Sequence, residues 1–456
     1  MKNIRFLLLS ALALTANISA SAYNFSATYN GTTIYYNITN SANKTVSVTC
    51  KDYYYNSYSG AVTIPKTVTN NSITYTVTAI GETAFYECSN LTSITLPESI
   101  ISIGYVSFYN CTSLNSIVLP RNVTSIGEGA FANCSKLTSI NIPNGVTCIA
   151  ANTFYCCSSL SSITIPSGVT DIGKEAFYGC SSISSINIPS GITKINERTF
   201  TNCYKLEKVV LPSSLSIIGK EAFYGCNNLK TINIPEGVTS IETGAFRGCS
   251  SIVSLVLPES ITEIKDYAFF GCSSLSSINI PSKITKLEDS VFYNCRSLTQ
   301  ITIPENVTSI GDYAFRGCTS LISITISKGV TSIGNYSFYA CSNLTEVISY
   351  ARKPISLGSD PFGSISEECT LSVPSGSKDA YSEAGWTTSI FKGGIKEFGP
   401  SADVNRDGAI NVSDVTLLVS LILNGEGTID YDLNGDGILN VSDITALVNI
   451  ILGNEE

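Results

Sequence analysis

The sequence predicts a β-rich solenoid of 23-residue repeats, parallel strands joined by short helical turns, followed by a small helical module with two EF-hand-like loops. Three observations predict it. Phe recurs every 23 residues from Phe85 to Phe338, and Cys follows three places after each, from Cys88 to Cys341. Pro recurs at the same interval from Pro97 to Pro304 and fails at Ser327. Past residue 400, one acidic twelve-residue phrase is written twice, 29 residues apart. A fixed period of this length is the mark of stacked units, none of which can bury its apolar face alone.

Residues 1–22 read as an export signal: Lys2 and Arg5, an apolar run from Phe6 to Ile18, then Ala20-Ser21-Ala22 as a small-residue cleavage pattern. No later stretch reads as a transmembrane helix, so the expectation is a secreted, extracellular protein associated with the cell surface. Residues 23–79 alternate apolar and polar side chains and form an N-terminal β cap with an irregular first rung; Asn30-Gly31 marks a hairpin turn. Ile64-Pro65 and Ile80-Gly81 imitate two stations of the repeat, with nine extra residues between them.

The array runs over 80–349. A typical rung reads Ala84-Phe85, Cys88, Leu91, Ile94, Leu96-Pro97, Ile100, Ile103-Gly104. Ile94 and Leu96 share one face of a short strand, and Ser93 and Thr95 face outward. Proline ends the strand because it lacks an N–H. Gly104 and its equivalents fit a tight bend. The Cys column reads as stacked reduced thiols acting as small hydrophobes; vertical disulfides are the alternative in an exported protein. A row of aromatics after each Phe includes Tyr155, Tyr178, Tyr224 and Tyr293, which either form a ligand-binding edge or pack half-buried between rungs. Residues 350–400 break the period and read as a C-terminal cap, with a short helix near Ala380-Tyr381, Trp386 as a plug, and a hinge at Gly393-Gly394 and Gly399-Pro400.

Charge and composition narrow the chemistry. The net charge of −9 sits entirely in residues 401–456, so the repeats are neutral and a poor match for nucleic acid. There is no histidine, which removes Ser-His-Asp and Cys-His catalysis and His-containing zinc sites. No pair of carboxylates is marked out for catalysis, so the chain reads as no enzyme.

In the acidic module, places 1, 3, 5, 7, 9 and 12 of the first loop are Asp403, Asn405, Asp407, the Ala409 carbonyl, Asn411 and Asp414. In the second they are Asp432, Asn434, Asp436, the Ile438 carbonyl, Asn440 and Asp443. Hard cations take six to eight oxygens from this spacing, which predicts two Ca2+ ions. Each loop opens a helix with a shared apolar face, Val415, Leu418, Val419 and Ile422, then Ile444, Leu447, Val448 and Ile451.

The repeat phrase AFxxCxxLxxIxIPxxVxxIG, over residues 62–349, resembles the BspA-like leucine-rich repeat surface proteins. The resemblance implies a right-handed solenoid used for adhesion or ligand recognition, its ligand a host, microbial or glycan one. The paired loops of 401–456, closed by Asp, resemble a type I dockerin. That implies a cohesin-like protein as partner, met at places 10 and 11, Val412-Ser413 and Val441-Ser442. Place 10 departs from the Ser/Thr common there in cellulosomal dockerins. The rival readings are an accessory component of an extracellular polysaccharide-degrading complex and a structural spacer.

Overall fold

A computed structural model describes residues 23–52, 56–398, 402–405, 409–425, 431–434 and 438–453. The export signal read in 1–22 and the hinge at Gly399-Pro400 lie outside them. The chain divides into two compact units, residues up to 192 with 202–204, and residues 193–201 with those from 205 onward. The fold class is a β-solenoid of repeats about 23 residues long.

The first unit begins with a hairpin of β1 (Phe25–Tyr29) and β2 (Thr32–Asn40). Asn30 and Gly31 both take positive φ, 48° and 78°, so the Asn-Gly pair makes the turn it signals. Next, β3 (Thr45–Thr49) pairs antiparallel with β2 and parallel with β6 (Ile73–Ile80), while β4 (Gly60–Thr63) pairs parallel with β7 (Leu91–Thr95). The extra residues between Pro65 and Ile80 are a second hairpin, β5 (Thr67–Asn70) against β6. Register then passes into the rungs as β6 meets β8 (Ser102–Ile103), Ile80 beside Ile103.

Within each unit the rungs meet through the same contacts. Column phenylalanines are fully buried and stack nearly parallel, with ring centroids such as Phe85–Phe108 at 4.9 Å and Phe131–Phe154 at 5.8 Å, inside the range where offset stacking is favourable. Tyr58 continues the column beyond Phe85 at 4.5 Å. At the other end Phe338 stacks on Phe362 at 5.2 Å, and Trp386 and Phe391 close over Phe362 with tilted rings.

Phe362 corrects the expectation that the period breaks after residue 349. It stands 24 rather than 23 residues after Phe338, and Ser332 still pairs with Ser356 and Glu346 with Thr370. One inserted residue shifts the phrase without interrupting the stack. Thr370–Pro374 in turn pairs parallel with Gly394–Phe398, so Gly393-Gly394 is held in the stack and is not the hinge expected there. The short helix α1 is Lys378–Glu383, and its Tyr381 is buried with its hydroxyl within 2.7 Å of the Ser349 Oγ.

The cysteines do more than fill space. All sixteen are free. In the column, each thiol from Cys111 to Cys341 donates to the carbonyl of the phenylalanine 26 residues before it, Cys111 to Phe85 at 3.1 Å and Cys272 to Phe246 at 3.3 Å. The Phe85 carbonyl also accepts the Cys88 N–H at 3.1 Å, so both of its lone pairs are used inside the core. Serine would offer a donor but at a shorter reach, and alanine none. In a thiol titration of native protein, Cys148, exposed beside Asp171, is expected to react first, and the column only on unfolding. Sixteen thiols should appear in denatured, unreduced protein; a shortfall would mean disulfides.

The connection through the Phe is not a helical turn but a run of overlapping bends. Positive φ recurs two places before and two places after the phenylalanine: Thr83 at 55° and Glu87 at 55°, then Tyr267 at 59° and Gly271 at 71°. A left-handed residue on either side forbids helix. The bend therefore lies here and not at Gly104, as expected from the sequence. Gly104 has an ordinary φ; a Cβ there would stand 2.6 Å from the Glu82 nitrogen of the preceding rung. Its glycine answers close approach between rungs.

Outward strand positions also serve the stack. The Asn141 side chain accepts the Leu119 N–H and donates to the Leu119 carbonyl, both at 2.8 Å, and Asn279 does the same for Leu257. These asparagines satisfy the backbone just before Pro120 and Pro258, where the ladder stops. Val118 and Val256 stand exposed on the same strands.

Candidate functional sites

In the acidic module, α2 (Val412–Asn424) and α3 (Val441–Leu452) each begin at an extended asparagine and end at a left-handed glycine, Gly425 and Gly453. Asn411 Oδ1 accepts the Ser413 N–H at 2.8 Å, and Asp414 Oδ2 accepts the Asn411 N–H at 2.9 Å. Asn440 and Asp443 repeat this at 2.7 Å for both bonds. These are reciprocal caps that fix the last loop residues against the first helical turn. Leu418 and Leu447 are fully buried together with Ala402, Val404 and Leu433. Val415, Ile422, Ile444 and Ile451 pack against them as their spacing predicts; Leu417, Leu421, Ala446 and Ile450 join, and Val419 and Val448 do not.

The place-12 carboxylates, Asp414 and Asp443, have no exposed surface, and Asp432 at place 1 is also buried. Asp414 Oδ1 accepts the Asn405 N–H at 3.1 Å, and Asp443 Oδ1 the Leu433 N–H at 2.8 Å. These donors are neutral backbone groups, and no Lys or Arg occurs from residue 407 to the end. Buried carboxylates without a cationic side chain are costly unless a cation joins them. The Ala409 and Ile438 carbonyls accept the place-9 amides at 3.2 Å. The Asn405 amide donates to Ser413 Oγ at 2.8 Å, and the Asn434 amide to Ser442 Oγ. The donor set is all oxygen, as a hard cation requires. Asp403 is half-buried; Asp407 and Asp436 lie outside the described residues. Among the described residues no cluster of three or more acidic, His or Cys groups forms.

Asn411 and Asn440 hold a role the spacing did not show, since their side-chain oxygens cap helices. Ser413 and Ser442 likewise point their hydroxyls into the loops, each donating to the capping asparagine at 2.8 Å. Val412 and Val441 project outward, 71% and 68% exposed, so place 10 offers an apolar contact.

On the repeats, Tyr155 and Tyr178 stack on each other at 4.8 Å, and Tyr293 on Phe270 at 4.6 Å. Tyr224 carries the Arg247 guanidinium 5.5 Å over its ring. All four tyrosines are half-buried, each with a neighbouring ring or guanidinium against it.

Stacked short parallel strands with an Ile/Leu core, joined to paired acidic loops, define a leucine-rich repeat protein carrying a dockerin. The family model for the BspA type leucine-rich repeat region matches residues 53–181, 147–273 and 241–367, and that for the type I dockerin domain matches 401–452. The chain belongs to the BspA-type leucine-rich repeat family. It is similar to a leucine-rich repeat protein from Bacteroides ovatus, at 27% identity over 82% of this chain and 100% of that one, with a TM-score of 0.56. A leucine-rich cell surface protein from Faecalibacterium prausnitzii is 30% identical over 71% of this chain and 94% of that one, with a TM-score of 0.44. No curated protein gives a significant match. Type I dockerin domains bind calcium and imply a cohesin partner. Among the described residues no helix is long and apolar enough to cross a membrane.

Proposed function

We propose that this is a secreted, non-catalytic binding protein whose repeats recognise a host, microbial or glycan ligand, and whose dockerin docks it to a cohesin at the cell surface. The buried carboxylates Asp414 and Asp443, which among the described residues meet no Lys or Arg, carry the reading. Each loop holds one Ca2+, two in all, through Asp403, Asn405, Asp407, the Ala409 carbonyl and Asp414, and through Asp432, Asn434, Asp436, the Ile438 carbonyl and Asp443. Asn411 and Asn440, whose oxygens cap helices, reach the ion through water. Val412-Ser413 and Val441-Ser442 meet the cohesin, the valines supplying apolar contact.

Chelation is the direct test. In calorimetry of the full chain, EDTA is expected to abolish the transition of the acidic module, leave that of the repeats in place, and release any cohesin-bearing partner captured from the cell envelope. Asp443→Ala should do the same for its half at ordinary calcium. A module whose melting and capture ignore EDTA would refute the metal sites.

A further inference from the structure

From Phe223 to Phe338, in the second unit, the position following each column phenylalanine forms one file: Tyr224, Arg247, Phe270, Tyr293, Arg316 and Tyr339. The Arg247 guanidinium lies 4.6 Å from the Phe270 ring and 5.5 Å from Tyr224. Arg316 lies 4.9 Å from Tyr339 and 5.8 Å from Tyr293, with Tyr313 and Tyr336 at 5.6 and 5.9 Å. Both arginines are half-buried. Among the described residues neither meets a carboxylate, whereas Arg198 on the same side of its rung is paired with Glu221 at 2.6 Å.

Ring faces hold these guanidiniums in place but accept little from their N–H donors, so each presents a charged fork with no counter-ion. A fork of this kind matches a carboxylate or sulfate in two-point contact. The two arginines are three rungs apart, roughly 14 Å at about 4.8 Å per rung. We infer that this file binds an acidic polysaccharide, with Arg247 and Arg316 taking uronate or sulfate groups and the tyrosine hydroxyls bonding the sugar between them. A stiff polymer with anions at regular intervals suits receptors fixed at a regular spacing; a flexible acidic peptide would first have to be ordered. Nucleic acid, with a phosphate at every step, calls for more cations than this neutral array supplies.

This inference rests on the reading of the repeats as the binding part. The calcium-loaded full chain is tested by titration calorimetry against polygalacturonate, its methyl ester and poly-L-glutamate, and on a mixed glycan and cell-surface protein array. Polygalacturonate should bind, its ester should not, and R247Q/R316Q should weaken binding by at least about tenfold with melting unchanged. Should that variant unfold, R247K/R316K, which keeps the charge and loses the planar fork, should still weaken binding several-fold. Equal binding of the ester, tighter binding of polyglutamate, or full binding by a folded variant overturns the inference. An array ligand other than acidic glycan overturns it and leaves the binding reading standing; retention of nothing overturns both.

Discussion

Raising the pH above about 9 is expected to unfold the repeat array. Burial pushes the Cys88 thiol up to about 11, and those of Cys134, Cys272 and Cys341 to about 12. Burial also holds Cys111, Cys157, Cys180, Cys249, Cys295 and Cys318 well above the ordinary 9.0. A thiol that keeps its proton more tightly when folded stabilises fully below the unfolded value. That stabilisation is lost as pH climbs from 9.0 toward the folded value, because the unfolded chain ionises first. One pH unit above 9.0, each of the four thiols pushed up to about 11 or 12 costs roughly 1 kcal/mol. Those four together cost several kcal/mol, a sizeable part of the stability of an ordinary domain, and the other six act in the same direction. A reversible loss of the sheet signal in circular dichroism between about pH 9 and 11 is the expected record. An array still folded at about pH 12 would show that the thiols ionise in place.

Phe246→Ala should cost about 3–5 kcal/mol, the range for emptying a fully buried aromatic site. Phe246 sits between Phe223 at 5.5 Å and Phe269 at 5.6 Å, with no exposed surface. Because stability in such stacks is passed between neighbours, the variant should also broaden or split the urea transition. Phe246→Leu should lose less. A loss below about 1 kcal/mol would mean that the rungs rest on the strands rather than on the rings.

The Phe, Cys and Ile columns could be read from the sequence because stacking forces one side chain into one environment, rung after rung. The Asn-Gly hairpin was legible because it needs two positive φ values. The left-handed residues flanking each Phe were not, because Thr83, Val106, Glu175 and Tyr267 carry no turn signal; the neighbouring rungs impose that backbone. Nor was the thiol donor, since column spacing says nothing of where a proton points. The 24-residue rung at Phe362 was hidden by a rule of strict period. In the acidic module the spacing predicts ligand positions, but not the capping of the two helices by Asn411 and Asn440. The arginine file was missed because Arg247 and Arg316 interrupt a row read as aromatic.

The repeated junction of ring, thiol and carbonyl bears on how such a protein changes through descent. Because the same set of contacts recurs every 23 residues, removing or duplicating one whole block leaves two cut faces that still match. Recombination between whole repeats would yield shorter or longer heirs that fold, while most other losses would put a polar side chain opposite a ring. The number of rungs on display is therefore open to selection at little structural cost, and the chemistry of any one face can drift without the rest of the molecule having to follow.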